Sequence, residues 1–378
     1  MARKDRDEMT AQERREYRRN RRIRNQIVAY LVLILILAGI GIGGFLGVRA
    51  LVGKVKGIIS AGDNVPTVSE DSVSQDQFIM DGESAGVIAS PEEFVEPEPE
   101  IAEPQECAAA REYINAMSLD DKVAAMFIVA PEDITEVDNV TVAGEQFKAA
   151  LEEYGVGGIA FAPSNANSAE QFTELVTNGQ TFYQTTYNNT TWMFYMGDNV
   201  SDYPDAGINV TMTPADQFSL GSSSKLDVVT AFPFQDGEKA ASIEESMDEI
   251  RENRLGVFKT AINSGADGIL VSDANLASAT GEDMPACLSY AVCTDVIRNE
   301  LGFDGVIIAG FMNEPGVTDG YNAADAAIKA VNAGADMILC SDDFLAAYDA
   351  VLTAVQSGEI SEDRIDESLM RIYTAKYQ

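Results

Sequence analysis

The sequence predicts an α/β fold, and specifically a (β/α)8 barrel of the TIM type. Short apolar segments of strand length alternate with amphipathic segments of helical period through about the last 270 residues. Strands that are apolar on both faces are typical of a parallel sheet covered by helices on both sides. Seven or eight strand–helix units in this length favour a closed barrel, and a doubly wound open sheet is the alternative.

The predicted elements follow one another at regular spacing. The strands are AAMFIVA, GVGGIAFA, TTWMFYMG, GINVTMT, DVVTAF, GADGILVSD, FDGVIIAG and GADMILCSD. The helices are AGEQFKAALEEY, SAEQFTELVTNGQTFYQ, ESMDEIRENRLGVFKTAINSG, CTDVIRNELG, NAADAAIKAVNAG, FLAAYDAVLTAVQSG and SEDRIDESLMRIYTAKY. A further helix begins in SLDDKVAAMFIV, where Ser118 is a suitable N-cap and Asp120 and Asp121 lie in the first turn.

A basic tail and an apolar run begin the chain. Residues 1–25 are predicted to be a cytoplasmic tail, with ten Lys or Arg against five acids. Residues 26–52 contain Ile27–Val48, a run of 22 residues without a charge. This run is long enough for a single transmembrane helix and longer than the apolar part of a signal peptide. Because arginines precede it, we interpret the segment as a signal anchor with a cytoplasmic N-terminus.

Residues 53–106 are predicted to form an acidic, disordered stalk. From Ala61 to Glu106 there are thirteen acids and no Lys or Arg, and Pro is frequent. Such a segment has too little apolar surface to offset the entropy lost on ordering. The barrel domain is therefore assigned to residues 107–378, on the outer side of the membrane.

The composition excludes several classes of function. The 378 residues contain 26 Lys or Arg, 61 Asp or Glu and no His, for a formal net charge of −35. Without His, a His-based catalytic triad and a His-ligated metal site are excluded. The excess of acids argues against nucleic acid as a partner. We predict no cofactor and no metal site, because the acids show no EF-hand spacing.

Four cysteines give no zinc-binding pattern. Cys107, Cys287, Cys293 and Cys340 show no CxxC spacing. Cys287 and Cys293 are six residues apart and form either a disulfide or two buried free thiols.

Four stretches of the barrel region carry recognisable motifs: SLDDKVAAMFIV, YGVGGIAFAPSNANSAEQFTELVTNGQ, LGFDGVII and AIKAVNAGADMILCSDDFLAAYDAVLTAVQSGEISEDRIDESLMRIYTAK. In this order along the chain they resemble glycoside hydrolase family 3, in particular the single-barrel β-N-acetylhexosaminidases. The resemblance covers about residues 115–378. It implies a barrel that cleaves glycosides with retention through an Asp nucleophile at the end of the FDGV strand. In this branch a His in an Asp-Ser-His motif supplies the acid, and a Lys-His pair before Phe-Pro holds the sugar.

Other residues occupy the positions that the resemblance makes catalytic. The family reads FDGVVISDDL where this chain reads FDGVIIAGFM, so the nucleophile position falls on Gly310 and the preceding Ser on Ala309. The Lys-His pair falls on Thr230 and Ala231, and the Asp-Ser-His motif falls near residues 241–243. The resemblance therefore implies a barrel whose catalytic positions have degenerated, with no catalytic residue at the family's positions.

Two connections are shorter than in the family. They run from Asp198 to Gly207 and from Gly221 to Val228. The resemblance thus implies a barrel that is incomplete or has one or two helices shortened.

Some carboxylates remain candidates for a site. Asp198 matches the Asp of the family's VDQEGG stretch, and with Asp216 and Asp273 it ends a predicted strand, so these three are candidate substrate-binding residues. As relocated catalytic residues, Glu314 lies four residues beyond Gly310, and Asp342 follows the last strand.

Both catalytic substitutes also have a structural interpretation. Glu314 precedes a Pro-Gly turn that is typical of a surface loop. Ser341, Asp342 or Asp343 can serve as the N-cap of the next helix.

Three hypotheses about function follow. The leading one is a pseudoenzyme: a membrane-anchored, extracytoplasmic family 3-like barrel without hydrolase activity that binds a cell-wall or other saccharide, or a partner, at a bacterial cell envelope. The second is an active β-N-acetylhexosaminidase or β-glucosidase that uses relocated carboxylates. The third is a purely structural scaffold. The sequence does not determine the oligomeric state.

Overall fold

The computed structural model describes residues 105–135, 137–197, 200–218, 226–234, 242–339 and 343–377. The predicted anchor at 26–52 and nearly all of the predicted stalk at 53–106 lie outside these residues. Across the described ranges, no helix is both long enough and apolar enough to cross a membrane.

Eight parallel strands form the centre of the fold, and they coincide with the eight predicted strand segments. The strands are β1 Phe127–Val129, β2 Gly158–Phe161, β3 Trp192–Tyr195, β4 Val210–Pro214, β5 Leu226–Phe232, β6 Gly268–Val271, β7 Val306–Ala309 and β8 Met337–Leu339. Their order in the sheet is β3-β2-β1-β8-β7-β6-β5-β4. Because the two edge strands are consecutive in the chain, the sheet curls into a nearly closed TIM-like barrel. The alternative of a doubly wound open sheet is wrong.

Asn209 joins the two edge strands. Its backbone N donates to Met193 O at 3.2 Å. Its side-chain Oδ1 accepts from Met193 N at 2.6 Å, and its Nδ2 donates to Thr191 O at 3.3 Å. One residue thus bridges β3 and the start of β4 at the point where the barrel would otherwise be open.

Helices surround the barrel. They are α1 Gln105–Ala116, α2 Leu119–Ala124, α3 Pro131–Ile134, α4 Glu145–Glu153, α5 Ala169–Tyr187, α6 Met247–Asn253, α7 Leu255–Asn263, α8 Ala277–Thr280, α9 Pro315–Thr318, α10 Ala323–Ala333, α11 Phe344–Ser357 and α12 Glu362–Tyr377. The predicted helix CTDVIRNELG belongs to a π-helix, Ala291–Glu300. In the described part of the connections on either side of β4, 3-10 turns at Val200–Asp202 and Ala215–Gln217 stand where a barrel helix is expected.

Local sequence signals account for the helix ends. Ser118 Oγ accepts from Asp121 N at 3.2 Å, as predicted for the N-cap of α2. Asp343 caps α11 by accepting from Ala346 N at 3.3 Å. Gly358 follows α11 with φ of 80°, a left-handed conformation that glycine adopts without steric cost.

Candidate functional site

The carboxyl ends of the parallel strands lie at one end of the barrel. Barrel enzymes place their reacting groups at this end, on the loops that follow the strands. The residues that follow the strands at this end therefore decide what chemistry the barrel can support.

Gly310 follows β7, at the position that the resemblance assigns to the nucleophile. Its backbone N donates to Val271 O at 3.0 Å and extends the pairing of β7 with β6. A Cβ atom on Gly310 would lie 2.8 Å from the same carbonyl oxygen and 2.7 Å from Leu270 Cδ1. Both separations are too short for a carbon contact, and the interior is close-packed. No side chain, and hence no carboxylate, fits at this position unless β6 moves.

The next two residues bring an apolar side chain into the barrel end. Phe311 has φ of 51°, in the left-handed region that bulky residues rarely adopt. After this turn Met312 N donates to Leu339 O at 3.1 Å, so the chain pairs with β8 as well as with β6. Met312 is 2% exposed. The end of β7 is therefore filled by packing.

The end of β5 carries the positions that the resemblance assigns to sugar binding. Thr230 is half-buried, and Ala231 is buried with φ of 61°. Neither side chain carries a charge. Beyond them, the guanidinium of Arg254 lies 5.8 Å from the centre of the Phe234 ring. Arg254 Nε donates to Glu245 Oε2 at 2.6 Å, so this cation is already paired with a carboxylate.

The loop at the expected acid position is tied to the loop after β6. Ile243 N donates to Asn275 O at 2.9 Å, and Ser242 forms a parallel bridge with Asn275. Asn275 Nδ2 in turn donates to Asp283 Oδ1 at 2.6 Å. Ala241 lies outside the described residues. Ser242 and Ile243 offer no group of suitable pKa to protonate a leaving oxygen.

The candidate carboxylates lie on separate loops. Asp216 is exposed in the 3-10 turn after β4, and Asp273 is half-buried after β6. Glu314 is exposed at the residue before α9, and its side chain makes no capping hydrogen bond. No hydrogen bond joins any two of these three side chains. Asp198 and Asp342 lie outside the described residues.

Asp273 is covered by the loop after β7. A Cβ atom on Gly316 would lie 2.5 Å from Asp273 Oδ2, so α9 packs closely against this carboxylate because residue 316 is glycine. In the described ranges, no group of three or more Cys, Asp or Glu is arranged to hold a metal ion.

Cys287 and Cys293 are buried free thiols. Burial raises the pKa of both thiols, that of Cys293 to about 12, so they remain protonated near neutral pH. Cys107 is also free, and Cys340 lies outside the described residues.

A polar network that the sequence analysis missed fixes the loops after β1 and β2. Glu132 Oε1 accepts from Val140 N at 2.7 Å and from Asn165 Nδ2 at 2.6 Å. Asn165 Oδ1 accepts from Ala162 N at 2.7 Å, and the residue is fully buried. The signal in the sequence was an Asn two residues after a Pro at a strand end, which is typical of a local side-chain-to-backbone turn.

The opposite end of the barrel holds a buried ion cluster that was also missed. Asp336 is fully buried just before β8. Its Oδ2 accepts from Ile307 N at 2.9 Å and Arg298 Nη2 at 2.7 Å, and its Oδ1 accepts from Ser368 Oγ at 2.8 Å and Arg371 Nη1 at 3.0 Å. Arg364 and Arg371, seven residues apart on one helix face, were the signal in the sequence. The cluster ties α12 and the π-helix to the strands.

A barrel of eight parallel strands covered by helices defines a TIM-like α/β barrel protein. Residues 233–375 match the Glycosyl hydrolase family 3 N terminal domain, and the family resemblance drawn from the motifs is confirmed.

Similar proteins agree with this family match. Beta-hexosaminidase A of Pseudoalteromonas piscicida is 25% identical over 154 residues, which cover 35% of this chain and 26% of that protein. The structure of a glycoside hydrolase family 3 beta-N-acetylglucosaminidase from Paenibacillus sp. str. FPU-7 superposes with a TM-score of 0.60 at 23% identity, over 69% of this chain and 62% of that one. Beta-N-acetylhexosaminidase from Beutenbergia cavernae superposes with a TM-score of 0.54 at 19% identity, over 69% of this chain and 98% of that one. These two structures show the shared fold.

Proposed function

We propose that this chain is a family 3-type barrel that does not hydrolyse glycosides and instead binds a saccharide at the cell envelope. The observation that carries the proposal is the packing of Gly310, where a Cβ atom would meet Val271 O at 2.8 Å. The nucleophile position is therefore both without a carboxylate and without the space for one.

The requirements of retaining hydrolysis also support the absence of hydrolase activity. That mechanism needs a nucleophile on one side of the glycosidic bond and an acid on the other, about 5–5.5 Å away when both are carboxyl groups. The chain has no His to serve as the acid. Asp216, Asp273 and Glu314 follow three different strands, and none of them occupies position 310. Because catalytic residues act as a unit, the loss of one removes most of the rate and leaves little to retain the others.

The test is an activity assay of the purified full-length chain with aryl β-N-acetylglucosaminide and aryl β-glucoside. We expect no turnover above the rate with heat-denatured protein. Glu314→Gln and Asp342→Asn are the matched variants. Turnover by the unchanged chain that either variant abolishes would contradict the proposal.

An active hydrolase with relocated carboxylates is the second candidate, because the matched relatives are named as hexosaminidases and glucosidases. The chain spans 26% and 38% of the length of the first two curated relatives that it matches, so their activities are proposals here. The same assay decides between the two candidates.

Saccharide binding needs its own measurement. We expect specific, saturable binding of the full-length chain on a glycan array that includes cell-wall fragments. Binding to no saccharide, together with capture of a single protein partner, would favour the third hypothesis, a structural scaffold.

The location at the membrane is also proposed. The uncharged run Ile27–Val48 and the arginines before it support a single-pass anchor with the barrel outside a bacterial cell. Carbonate extraction should leave the chain in the membrane fraction, and protease added to intact cells should remove the barrel. Release by carbonate would contradict the anchor.

A further inference from the structure

Three large apolar side chains are exposed in the part of the chain that the structure describes, and all three lie at the same end of the barrel. They are Val142, Val200 and Tyr290, with exposed fractions of 69%, 38% and 54%. Val142 follows β1, Val200 follows β3, and Tyr290 ends the loop after β6. Scattered single residues of this kind are common, whereas their collection at the end where barrels bind ligands favours a contact surface.

The loops at this end carry carboxylates and no base among the described residues. We call their described residues the loop end, which consists of 130–135, 137–144, 162–168, 196–197, 200–203, 215–218, 233–234, 242–246, 272–290 and 310–322. These residues include no Lys or Arg. Exposed carboxylates follow six of the strands, at Asp138, Asp202, Asp216, Glu244, Glu282 and Glu314. No described Lys or Arg forms an ion pair with any of the six.

From this distribution we propose that the loop end docks a saccharide that carries protonated amino groups, that is, an amino sugar without its N-acetyl group. The inference rests on the proposed function, saccharide binding, and names the class of saccharide. Uncompensated carboxylates create a negative potential, which raises the local concentration of cations and repels anions. A uronic acid or a phosphorylated sugar would find no base to pair with among these residues.

Tyr290 supplies a rigid aromatic surface at the loop end. Its loop is fixed to the end of β6, because Cys287 N donates to Ser272 O at 3.1 Å and Ala286 N donates to Ala274 O at 2.8 Å. A ring held in this way binds without a large further loss of loop entropy. Its face attracts an ammonium group and packs well against the C–H groups of a pyranose ring.

Carboxylates on the same loop have only neutral partners. Glu282 Oε2 accepts from the Oγ of Ser289, the residue before Tyr290, at 3.1 Å. Asp283 Oδ1 accepts from Asn275 Nδ2 at 2.6 Å. The loop thus combines an aromatic face with uncompensated negative charge, which suits a sugar ring bearing an ammonium group better than a bare metal ion. Within the described residues, no three carboxylates are arranged around such an ion.

The test is isothermal titration calorimetry of the full-length chain at pH 6, where carboxylates are ionised and amino-sugar amines are protonated. The probes are a glucosamine hexasaccharide with free amines, its fully N-acetylated counterpart and a galacturonate hexasaccharide. We expect the free-amine probe to bind at least about tenfold more tightly than the N-acetylated one, and galacturonate not to bind. Raising the ionic strength from 0.01 M to 0.15 M should weaken binding of the free-amine probe, because the screening length falls from about 30 Å to about 8 Å.

Two variants separate the aromatic contribution from the charge. Tyr290→Ala should lower the affinity for the free-amine probe about fivefold, because it removes the face that meets the ammonium group. The combined changes Asp138→Asn, Asp202→Asn and Asp216→Asn should lower the affinity by a similar factor. They should also reduce its dependence on salt. Both variants change exposed residues and should unfold in urea like the unchanged chain.

The matched control removes the same charge away from the loop end. Glu112→Gln, Glu359→Gln and Asp363→Asn lie in α1, after α11 and in α12, are exposed, and together should change the affinity less than about twofold. Equal binding of the free-amine and N-acetylated probes would overturn the inference and leave saccharide binding in place, whereas binding of no saccharide would overturn the proposed function as well. If hexalysine bound as tightly as the free-amine probe, the inference would also fail, because charge without a sugar ring would then be sufficient.

Discussion

Gly310 shows how one residue decides what a strand end can do. Its amide extends the pairing of β7 with β6, and its missing side chain is what allows the two strands to lie so close. A carboxylate in this place would need a differently shaped barrel end. A single substitution therefore does not restore a catalytic site.

Gly310→Asp should destabilise the chain and create no hydrolase activity. The new side chain would meet Val271 O and Leu270 Cδ1, and overpacking of this kind costs about 1–3 kcal/mol. Urea unfolding and the aryl glycoside assay measure the two effects. Gly320→Asp is the control, since no atom lies within 4 Å of a Cβ there, and it should change stability by less than about 0.5 kcal/mol. Full stability of Gly310→Asp would contradict the described packing.

Asp336 is a fully buried residue whose charge is compensated by neighbouring cations. Three arginines surround this buried carboxylate, and its removal would leave their charges without compensation. Loss of one partner from a buried ion pair costs about 3–5 kcal/mol of stability. We expect Asp336→Asn to lower the free energy of unfolding by an amount in this range. Unfolding by urea measures the effect.

The control for that prediction is Asp304→Asn. Asp304 is exposed and close in the chain to β7, and its substitution should be nearly neutral. If both variants were equally stable, the cluster around Asp336 would not be a stabilising element.

At the scale of elements, the barrel depends on the contact between its two edge strands. Most strand pairs are joined by ordinary backbone ladders, as in the four-residue register of β6 with β7. Between β3 and β4 the amide side chain of Asn209 supplies some of the hydrogen bonds that backbone groups supply elsewhere in the sheet. The connection is short on this side, so one residue serves both as the end of a loop and as a strand partner.

Asn209→Ala should weaken this edge of the barrel. It removes two side-chain hydrogen bonds and leaves Met193 N without its partner at 2.6 Å, which costs about 1–3 kcal/mol. We expect lower stability in urea and faster amide exchange in peptides of β3 and β4. Asn209→Asp keeps the acceptor for Met193 N and should lose less stability than Asn209→Ala. Asn313→Ala, at an exposed turn, should change neither measurement.

The whole molecule is strongly acidic. Residues 105–378 contain 44 Asp or Glu and 13 Lys or Arg. Several of these bases are held in ion pairs, including Lys122 with Glu362 and Arg298 with Asp336. The remaining acids repel one another, which opposes the compact state of this part of the chain.

Salt should therefore stabilise the fold. The screening length falls from about 30 Å at 0.01 M to about 8 Å at 0.15 M ionic strength, which reduces repulsion between surface carboxylates. We expect the melting temperature to rise between these two concentrations at constant pH. Choline chloride should act like sodium chloride, because screening does not depend on the identity of the cation. A lower melting temperature at high salt would show that attractive pairs dominate.

The candidate site was only partly accessible to prediction. Comparison with the family motifs placed Gly310 at the end of a strand, where the family has its Asp nucleophile. This comparison was possible because the order of the motifs along the chain is visible in the sequence. The packing of Leu270 and Val271 against Gly310 was not visible, since these residues are about forty positions away.

The sequence by itself determined the eight strands, most helices and several helix caps, because periodicity and capping act over a few neighbouring residues. It also determined the family resemblance, the absence of His and the net charge. Only the tertiary structure decided how β3 meets β4 and which carboxylate the arginines surround. Those features depend on contacts between residues far apart in the chain, where packing and desolvation, rather than local preference, set the free energy.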